Sequence, residues 1–258
     1  MSNCAILVLS CDKYADLWDV FFDCFNKFWP DCPYKIYLGT NELGYSKGNI
    51  INIKSGEDKD WSSSARKIVS QIPENYIWIM LEDILIASKI NTSYVENIFS
   101  NMQSKNASHI HELPTPKPDH VEDDFGVYKK GMPYRVNVRG FWNKKNFQDL
   151  LIDGESPWNF EIMGSYRSSY FEGFYCLKQP VCKMINSVEK GKVFPHAIDW
   201  CKENNIDSIN KIDRAVVHQN ILSKSRLQSI YFNFIINNIS WKYRVKLTNI
   251  LRKLIISY

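Results

Sequence analysis

An acidic pair and a polar triplet each follow directly after an apolar run of the sequence. Glu82 and Asp83 come after residues 76–81, and Ser10, Cys11 and Asp12 come after residues 5–9. Mg²⁺ or Mn²⁺ needs only one or two protein carboxylates where phosphate oxygens and water complete its coordination octahedron. The acidic pair could therefore hold a divalent cation, although a solvated pair at a strand end is the alternative.

A third carboxylate, Glu161, stands beside two large aromatic rings, Trp158 and Phe160. Partial burial next to aromatic rings raises the pKa of a carboxyl group toward the range of a useful general base. Glu161 is therefore our candidate for a catalytic base. The alternative is an ordinary exposed glutamate on a helix that its aromatic neighbours anchor.

A possible anion site lies at the start of a helix near residue 61. Apolar residues at 65, 68, 69 and 72 have helical spacing, and Trp61 with the serines 62–64 begins this segment. Free backbone N–H groups and the positive end of the helix dipole favour phosphate, and Arg66 could add a charge-assisted bond. We expect Trp61, Ser63 and Arg66 to bind a phosphate group. The alternative is a plain surface helix, for which Asp60 and the serines 62–64 are available as caps.

The elements around these residues alternate between strand and helix. The apolar patterns predict strands at residues 5–9, 34–38, 49–53 and 76–81, with helices at 17–28 and 61–72 between them. Such alternation predicts an α/β fold with a mostly parallel, doubly wound sheet. Ligands in these folds bind at the carboxyl ends of the strands, so we expect Ser10, Asp12, Glu82 and Asp83 on one edge.

The second half of the chain gives weaker patterns. They predict a helix around 95–102, a strand at 108–111, a long loop at 113–131, a strand at 134–138, helices at 144–152 and 157–169, and β-structure at 175–185 that is broken by Pro180. The loop contains several prolines and an acidic cluster, and loops of this length are usually lids or disordered segments.

Charge is distributed unevenly along the 258 residues. The net charge is +4, but residues 211–258 contain nine basic residues and one acidic residue, which leaves the first 210 residues net acidic. The same segment is rich in aromatic and aliphatic residues. We therefore divide the chain into a core domain at 1–210 and a basic amphipathic helical segment at 211–258 that docks on an anionic membrane. Packing of that segment on the core or on a second subunit is the alternative.

Composition and missing motifs exclude several classes of protein. Hydrophobic residues make up 45% of the chain, which is too apolar for intrinsic disorder, and the seven cysteines form no C-x-x-C pair. No export signal or membrane-spanning run is visible, so the expected location is cytoplasmic. The usual motifs of P-loop proteins, Rossmann dehydrogenases, serine hydrolases and zincins do not occur. A nucleic-acid partner is not expected, because no recognition motif accompanies the basic tail.

Several segments together resemble the nucleotide-sugar-dependent glycosyltransferases of the GT-A fold, especially bacterial enzymes of O-antigen or capsular polysaccharide biosynthesis. The resembling segments are residues 9–14, 28–33, 37–41, 61–63, 79–83 and 156–161. The resemblance implies a GT-A-like, Rossmann-like central sheet flanked by helices. It also implies transfer of a sugar from a nucleoside diphosphate sugar, most simply a UDP-sugar, to a hydroxyl of a lipid-linked or oligosaccharide acceptor at the inner face of the cell membrane.

The resemblance also assigns roles to individual residues. It implies that Ser10, Cys11 and Asp12 contact the nucleoside, and that Glu82 and Asp83 replace the Asp-x-Asp motif that holds a divalent metal in that family. His196 stands in a late loop that often supplies another metal or phosphate ligand. Trp158 and Trp142 would line the acceptor site, and Glu161 would be the base of an inverting enzyme or a binding group or nucleophile in a retaining one.

A second hypothesis follows from the missing first aspartate of that motif. The chain could be a non-catalytic module that binds a nucleotide or carbohydrate on the same fold. Neither the sugar, the linkage, the stereochemistry nor the metal requirement follows from the sequence.

Overall fold

The computed structural model describes residues 3–217 and Tyr243. Its first elements follow the predicted order and are held together by apolar packing. The strand β1 (Cys4–Leu9) is buried along its whole length, and the aromatic helix α1 (Ala15–Phe28) ends before Pro30. The other helices are α2 (Trp61–Ser70), α3 (Thr92–Ser104), α4 (Lys144–Leu150), α5 (Pro157–Arg167) and α6 (Pro195–Glu203).

The remaining strands are β2 (Lys35–Thr40), β3 (Ile50–Lys54), β4 (Tyr76–Met80), β5 (Ile84–Ile86), β6 (His109–His111), β7 (His120–Glu122), β8 (Phe125–Val127), β9 (Gly140–Asn143), β10 (Phe174–Leu177), β11 (Met184–Asn186), β12 (Val188–Glu189) and β13 (Lys192–Val193). Within residues 3–217 nine of them form one sheet in the order β3-β2-β1-β4-β9-β6-β10-β8-β7. Only β9 and β8 run against the other strands of this sheet. The predicted fold class, an α/β fold with a mostly parallel central sheet flanked by helices, is confirmed.

The two faces of the sheet carry separate hydrophobic cores. Because side chains alternate along a strand, Ile6 and Val8 of β1 pack with α1 and α3, while Leu7 and Leu9 pack with α2, α4 and α5. Burial on both faces explains why β1 and β4 are continuous apolar runs rather than alternating ones.

The reversed strand β9 lies between β4 and β6 and depends on a glycine. Gly140 has a φ of +117°, and a Cβ atom there would lie 2.8 Å from the Ile110 carbonyl oxygen. A side chain at this position would therefore be strained and crowded. Since β9 runs antiparallel to its neighbours, its first residue lies at the edge where β4 and β6 end.

Two predictions for the middle of the chain are wrong. Residues 134–138 form no strand, because Tyr134 has a φ of +57° and Arg135 turns inward to bond with carbonyl oxygens. The predicted loop at 113–131 contains the hairpin of β7 and β8, which turns at Asp123 with a φ of +52°. The prediction for 175–185, β-structure broken by Pro180, is confirmed: β10 and β11 lie on either side of Pro180 and belong to different sheets.

The beginning of the basic C-terminal segment packs on the core. The backbone of Ala215 and Val217 bonds to Val193, and Arg214 forms an ion pair with Asp16 of α1. The rest of the segment, residues 218–242 and 244–258, lies outside the described residues, so its predicted helix and membrane contact stay predictions. No described helix is both long and apolar enough to cross a membrane.

Candidate functional site

The carboxyl ends of the central strands bring a group of titratable side chains together, which we call the acidic rim. It consists of Cys11 and Tyr14 after β1, Glu82 and Asp83 after β4, Glu112 after β6, Arg139 before β9, Glu161 on α5, and Arg214. The sequence prediction that the segments after β1 and β4 share one edge is therefore correct: Ser10 hydrogen-bonds to Glu82, whose charge also acts on Cys11.

Glu82 is a buried carboxyl group, with 6% of its surface exposed. Burial and, to a smaller extent, the neighbouring charge of Asp83 raise its pKa to about 8, against the lowering effects of Ser10 and Arg214. Glu82 therefore holds its proton at neutral pH and acts as a neutral acid.

Asp83 is half-buried and one of its oxygens, Oδ1, has no hydrogen-bond partner within the part of the chain that the structure describes. Its backbone is fixed, because its carbonyl oxygen accepts from both the N–H and the hydroxyl of Ser187. Burial raises the pKa of Asp83, whereas Arg139 and Arg214 lower it. A buried carboxylate oxygen without a partner is costly and fits a cationic ligand.

A divalent metal could bind at Asp83 only if most of its ligands came from outside the protein. The described residues contain no group of three His, Cys, Asp or Glu side chains that could enclose an ion. Asp83 could supply one ligand, and substrate phosphate oxygens and water would have to supply the others. Glu82 would first have to lose its proton. His196, the other predicted metal ligand, is exposed and stacks on Phe194.

Glu161 occupies an ordered position on α5. Ser156 caps this helix and Pro157 begins it, which fixes the direction in which the helix starts. Oε1 of Glu161 accepts the Val138 N–H at 3.1 Å, and burial raises the pKa of Glu161 to about 7 despite this bond and the charge of Arg139. This value suits a general base near neutral pH. Trp158, one turn earlier on the helix, is 68% exposed.

Arg139 and Glu112 are site residues that the sequence analysis missed. The Glu112 carboxylate is 4% exposed and accepts from both the Arg139 guanidinium and the Trp78 indole. Arg139 lies beside Glu112 because β9 is reversed, and its charge acts on Asp83 and Glu161. No local pattern at 139 signals this role, since it depends on the direction of the following strand.

Arg214 and Tyr14 also belong to the rim. The Arg214 guanidinium donates to both carboxylate oxygens of Asp16 at 2.7 Å and lies 4.5 Å from the centre of the Tyr14 ring. Its charge lowers the pKa of Asp83 and Glu82. Arg214 belongs to the segment that is predicted from the sequence to bind a membrane, but in the structure it adds positive charge next to the acidic pair.

Asp12 is committed to the protein backbone. Its carboxylate oxygens accept from the N–H groups of Asn41, Glu42 and Leu43 at 3.0–3.2 Å. These bonds fill the acceptor positions of the carboxylate, so Asp12 fixes the loop after β2 and has little capacity left for a nucleoside.

The start of α2 is already occupied by a carboxylate. Asp60 caps the helix and accepts from the Ser63 N–H, the Ser62 and Ser63 hydroxyls and the Gly154 N–H. A negative charge at this helix end disfavours phosphate. Trp61 packs on Phe160, and Arg66 bonds to Asp153 and to two carbonyl oxygens. The structure thus gives Trp61, Ser63 and Arg66 other partners than the expected phosphate.

Trp142 lies in the core rather than on an acceptor surface. It is fully buried on β9, stacks on His109 at 4.0 Å, and donates its indole N–H to carbonyl oxygens of the preceding loop. A ring enclosed on this face cannot contact a bound acceptor, so Trp158 is the remaining aromatic candidate.

Comparisons with known proteins find similar folds only. Neither a protein-family model nor a curated protein matches the sequence. Similar solved structures are S. aureus TarS (9% identity, TM-score 0.41), a UDP-glucose pyrophosphorylase complexed with UDP-glucose (9%, 0.48) and the galactosyltransferase LgtC with donor and acceptor sugar analogues (10%, 0.40). They cover 69%, 80% and 83% of this chain, and this chain covers 60%, 97% and 84% of them, respectively. Similarity at this level does not assign an activity.

Proposed function

We propose that this chain is a glycosyltransferase that moves a sugar from a nucleoside diphosphate sugar to an acceptor hydroxyl. The observation that carries the proposal is the acidic rim: Asp83 with an unpartnered oxygen and Glu161 with a pKa near 7 share one edge of a mostly parallel sheet. Groups with displaced pKa values at a strand-end cleft are typical of catalytic sites. The GT-A resemblance of the sequence supports the same chemistry.

Each of these rim residues has a separate role in the proposed reaction. Glu161 accepts the proton of the acceptor hydroxyl while the acceptor oxygen forms its bond to the anomeric carbon. The bond from that carbon to the diphosphate breaks, and its electron pair stays on the diphosphate oxygen. Arg139 and Arg214 place positive charge near Asp83, where the departing diphosphate would gain negative charge. A divalent ion on Asp83, when bound, would neutralise part of that charge.

The same edge of the sheet would bind both substrates. A uridine diphosphate sugar is the first donor to test, since UDP and UDP-glucose occupy some of the structures of similar fold. We assign the donor to Ser10, Cys11, Tyr14 and Asp83, and the acceptor to Trp158 and Glu161. A lipid-linked or oligosaccharide acceptor in surface polysaccharide biosynthesis, met at the inner face of the cell membrane, fits the basic C-terminal segment.

Nucleotide binding gives the first experiment. The melting temperature is measured with UDP, UDP-sugars and other nucleoside diphosphates, with and without Mn²⁺, because a ligand of the folded state stabilises it by mass action. The variant Asp83→Asn should lose the Mn²⁺-dependent part of the shift, and Glu42→Gln, on an exposed residue of the neighbouring loop, is the control. If none of these nucleotides raises the melting temperature, the proposal fails.

Glu161→Gln distinguishes an enzyme from the alternative, a binding module of the same fold. The missing first carboxylate of the Asp-x-Asp motif is the observation that favours the module. In an enzyme this variant should lose about 10²–10⁴ in rate and keep its nucleotide-induced melting shift. A parent protein that binds nucleotide but transfers no sugar from any donor would support the module instead.

A further inference from the structure

The Arg139–Glu112 pair is a buried ion pair at the centre of the acidic rim. Glu112 ends up beside Arg139 because β6 and β9 run in opposite directions, and the Trp78 indole holds the other carboxylate oxygen. Arg139 is 18% exposed. Buried ion pairs contribute little net stability compared with apolar residues of the same size, so the pair needs another explanation.

The loop that carries Arg139 also contacts the candidate base. Arg139 follows directly after Val138, whose N–H donates to Glu161 Oε1 at 3.1 Å, and the charge of Arg139 acts on the same carboxylate. Among the described residues, the charged and titratable groups that act with Arg139 are Glu112, Asp83, Glu161, His111 and Cys182. Burial lowers the pKa of His111 to about 4 and raises that of Cys182 to about 12, so both are neutral at pH 7.

We infer that Arg139, fixed by Glu112, is a positioning residue that keeps Glu161 ionised enough to act as a base. This inference rests on the role proposed for Glu161. Desolvation alone would hold the Glu161 carboxyl protonated, whereas a fixed cation nearby favours its carboxylate form. The pair therefore couples the end of β6 to the ionisation of a residue on α5.

The test measures the titration of Glu161 without any nucleotide or acceptor. Glutamate labelled with ¹³C at the side-chain carboxyl is incorporated, and Glu161→Gln identifies the Glu161 signal. The midpoint should lie near pH 7 in the parent. It should rise by about one unit in Arg139→Gln and stay near the parent value in Arg139→Lys, which retains the charge.

Two further variants serve as controls for this titration. Arg139→Gln leaves the Glu112 carboxylate buried without its partner, so the double variant Arg139→Gln/Glu112→Gln is titrated in parallel. It should show a smaller rise, because the opposing charge of Glu112 is removed as well. Arg167→Gln removes an arginine from another partly buried pair, with Glu155, and should leave the midpoint unchanged. An unchanged midpoint in folded Arg139→Gln, or an equal rise in Arg167→Gln, would overturn the inference.

Turnover then separates this inference from the proposed function. A rise of one unit from pKa 7 lowers the ionised fraction of Glu161 at pH 7 about fivefold, so in Arg139→Gln the pH profile of kcat should shift upward by about one unit. A pH-independent loss of kcat should add to this shift, because Arg139 also places charge near the diphosphate. Failure of the titration would remove the positioning role and leave the glycosyltransferase proposal intact. Absent nucleotide binding would remove the glycosyltransferase proposal and leave the effect of Arg139 on the ionisation of Glu161 standing without a catalytic role.

Discussion

Replacing Glu82 by glutamine should stabilise the folded protein at neutral and alkaline pH but have little effect near pH 4. Burial and the charge of Asp83 raise the pKa of Glu82 to about 8 in the folded protein, whereas its ordinary value is 4.5. Below pH 4.5 the group is protonated in both the folded and the unfolded chain. As the pH rises from 4.5 to 8, only the unfolded chain releases the proton, so the parent loses stability over this window. A glutamine does not ionise and avoids that loss.

The size of the effect follows from the displaced pKa. At pH 7 the distance from the ordinary value is about two and a half units, and each unit corresponds to about 1.4 kcal/mol, which makes about 3.5 kcal/mol. The glutamine amide has almost the same shape and can still bond with the Ser10 hydroxyl. For a protein of this size each kcal/mol corresponds to about 2–4 °C in melting temperature.

The measurement is a thermal melt of the parent and Glu82→Gln at several pH values between 4 and 9. The difference in melting temperature should grow from near zero at pH 4 to several degrees at pH 7. Glu42→Gln, which changes an exposed carboxyl group, should stay within about 0.5 kcal/mol of the parent throughout. A difference of constant size at all pH values, or a Glu82→Gln variant that is less stable at pH 8, would refute the reasoning.

Three other substitutions test the site and its surroundings. Arg135 is 2% exposed and donates to Ser168 and to carbonyl oxygens of neighbouring loops, so Arg135→Met should cost about 3 kcal/mol in urea denaturation by leaving these acceptors unpaired. Asp60→Asn should destabilise the fold by about 1–2 kcal/mol at pH 7. Because cap hydrogen bonds hold the pKa of Asp60 below its usual range, the difference in stability should shrink as the pH falls below 4. A difference that does not depend on pH would contradict the capping role. Trp158→Ala should leave urea stability within about 0.5 kcal/mol and raise KM for the acceptor without changing nucleotide binding; an unchanged KM would exclude the ring from the acceptor site.

Local patterns predict the first half of the fold well. The helical spacing in α1 and the two-sided apolar runs of β1 and β4 specify these elements without any knowledge of distant contacts. The edge that holds Glu82 and Asp83 follows from the rule for parallel sheets, and the burial of Glu161 follows from its aromatic neighbours.

Contacts between distant segments explain the features of the fold and site that could not be predicted from the sequence. The alternating pattern around Arg135 is typical of a strand, but buried hydrogen bonds to Ser168 and Phe171 give that segment an irregular path. Asp60 is one of the caps that the sequence offers for α2, but the bond from the distant Gly154 N–H to its carboxylate, which adds to the occupation of this helix end, has no local signal. The rim position of Arg139 depends on the reversal of β9, a pairing that no window of residues near 139 encodes.

The reversed strand also affects how new specificity could arise on this scaffold. In the parallel strands the rim is built by the residues that follow each strand, but at β9 it is built by the residues that precede Gly140. Length changes in the segment before β9 would therefore alter the reactive edge and leave the pairing of β4, β9 and β6 unchanged. Insertions after Asn143 would instead fall at the far edge of the sheet, beside the start of α4. A library that exchanges acceptor preference should thus diversify the segment before β9 but keep Arg135, Val136 and Val138, which are buried in the core.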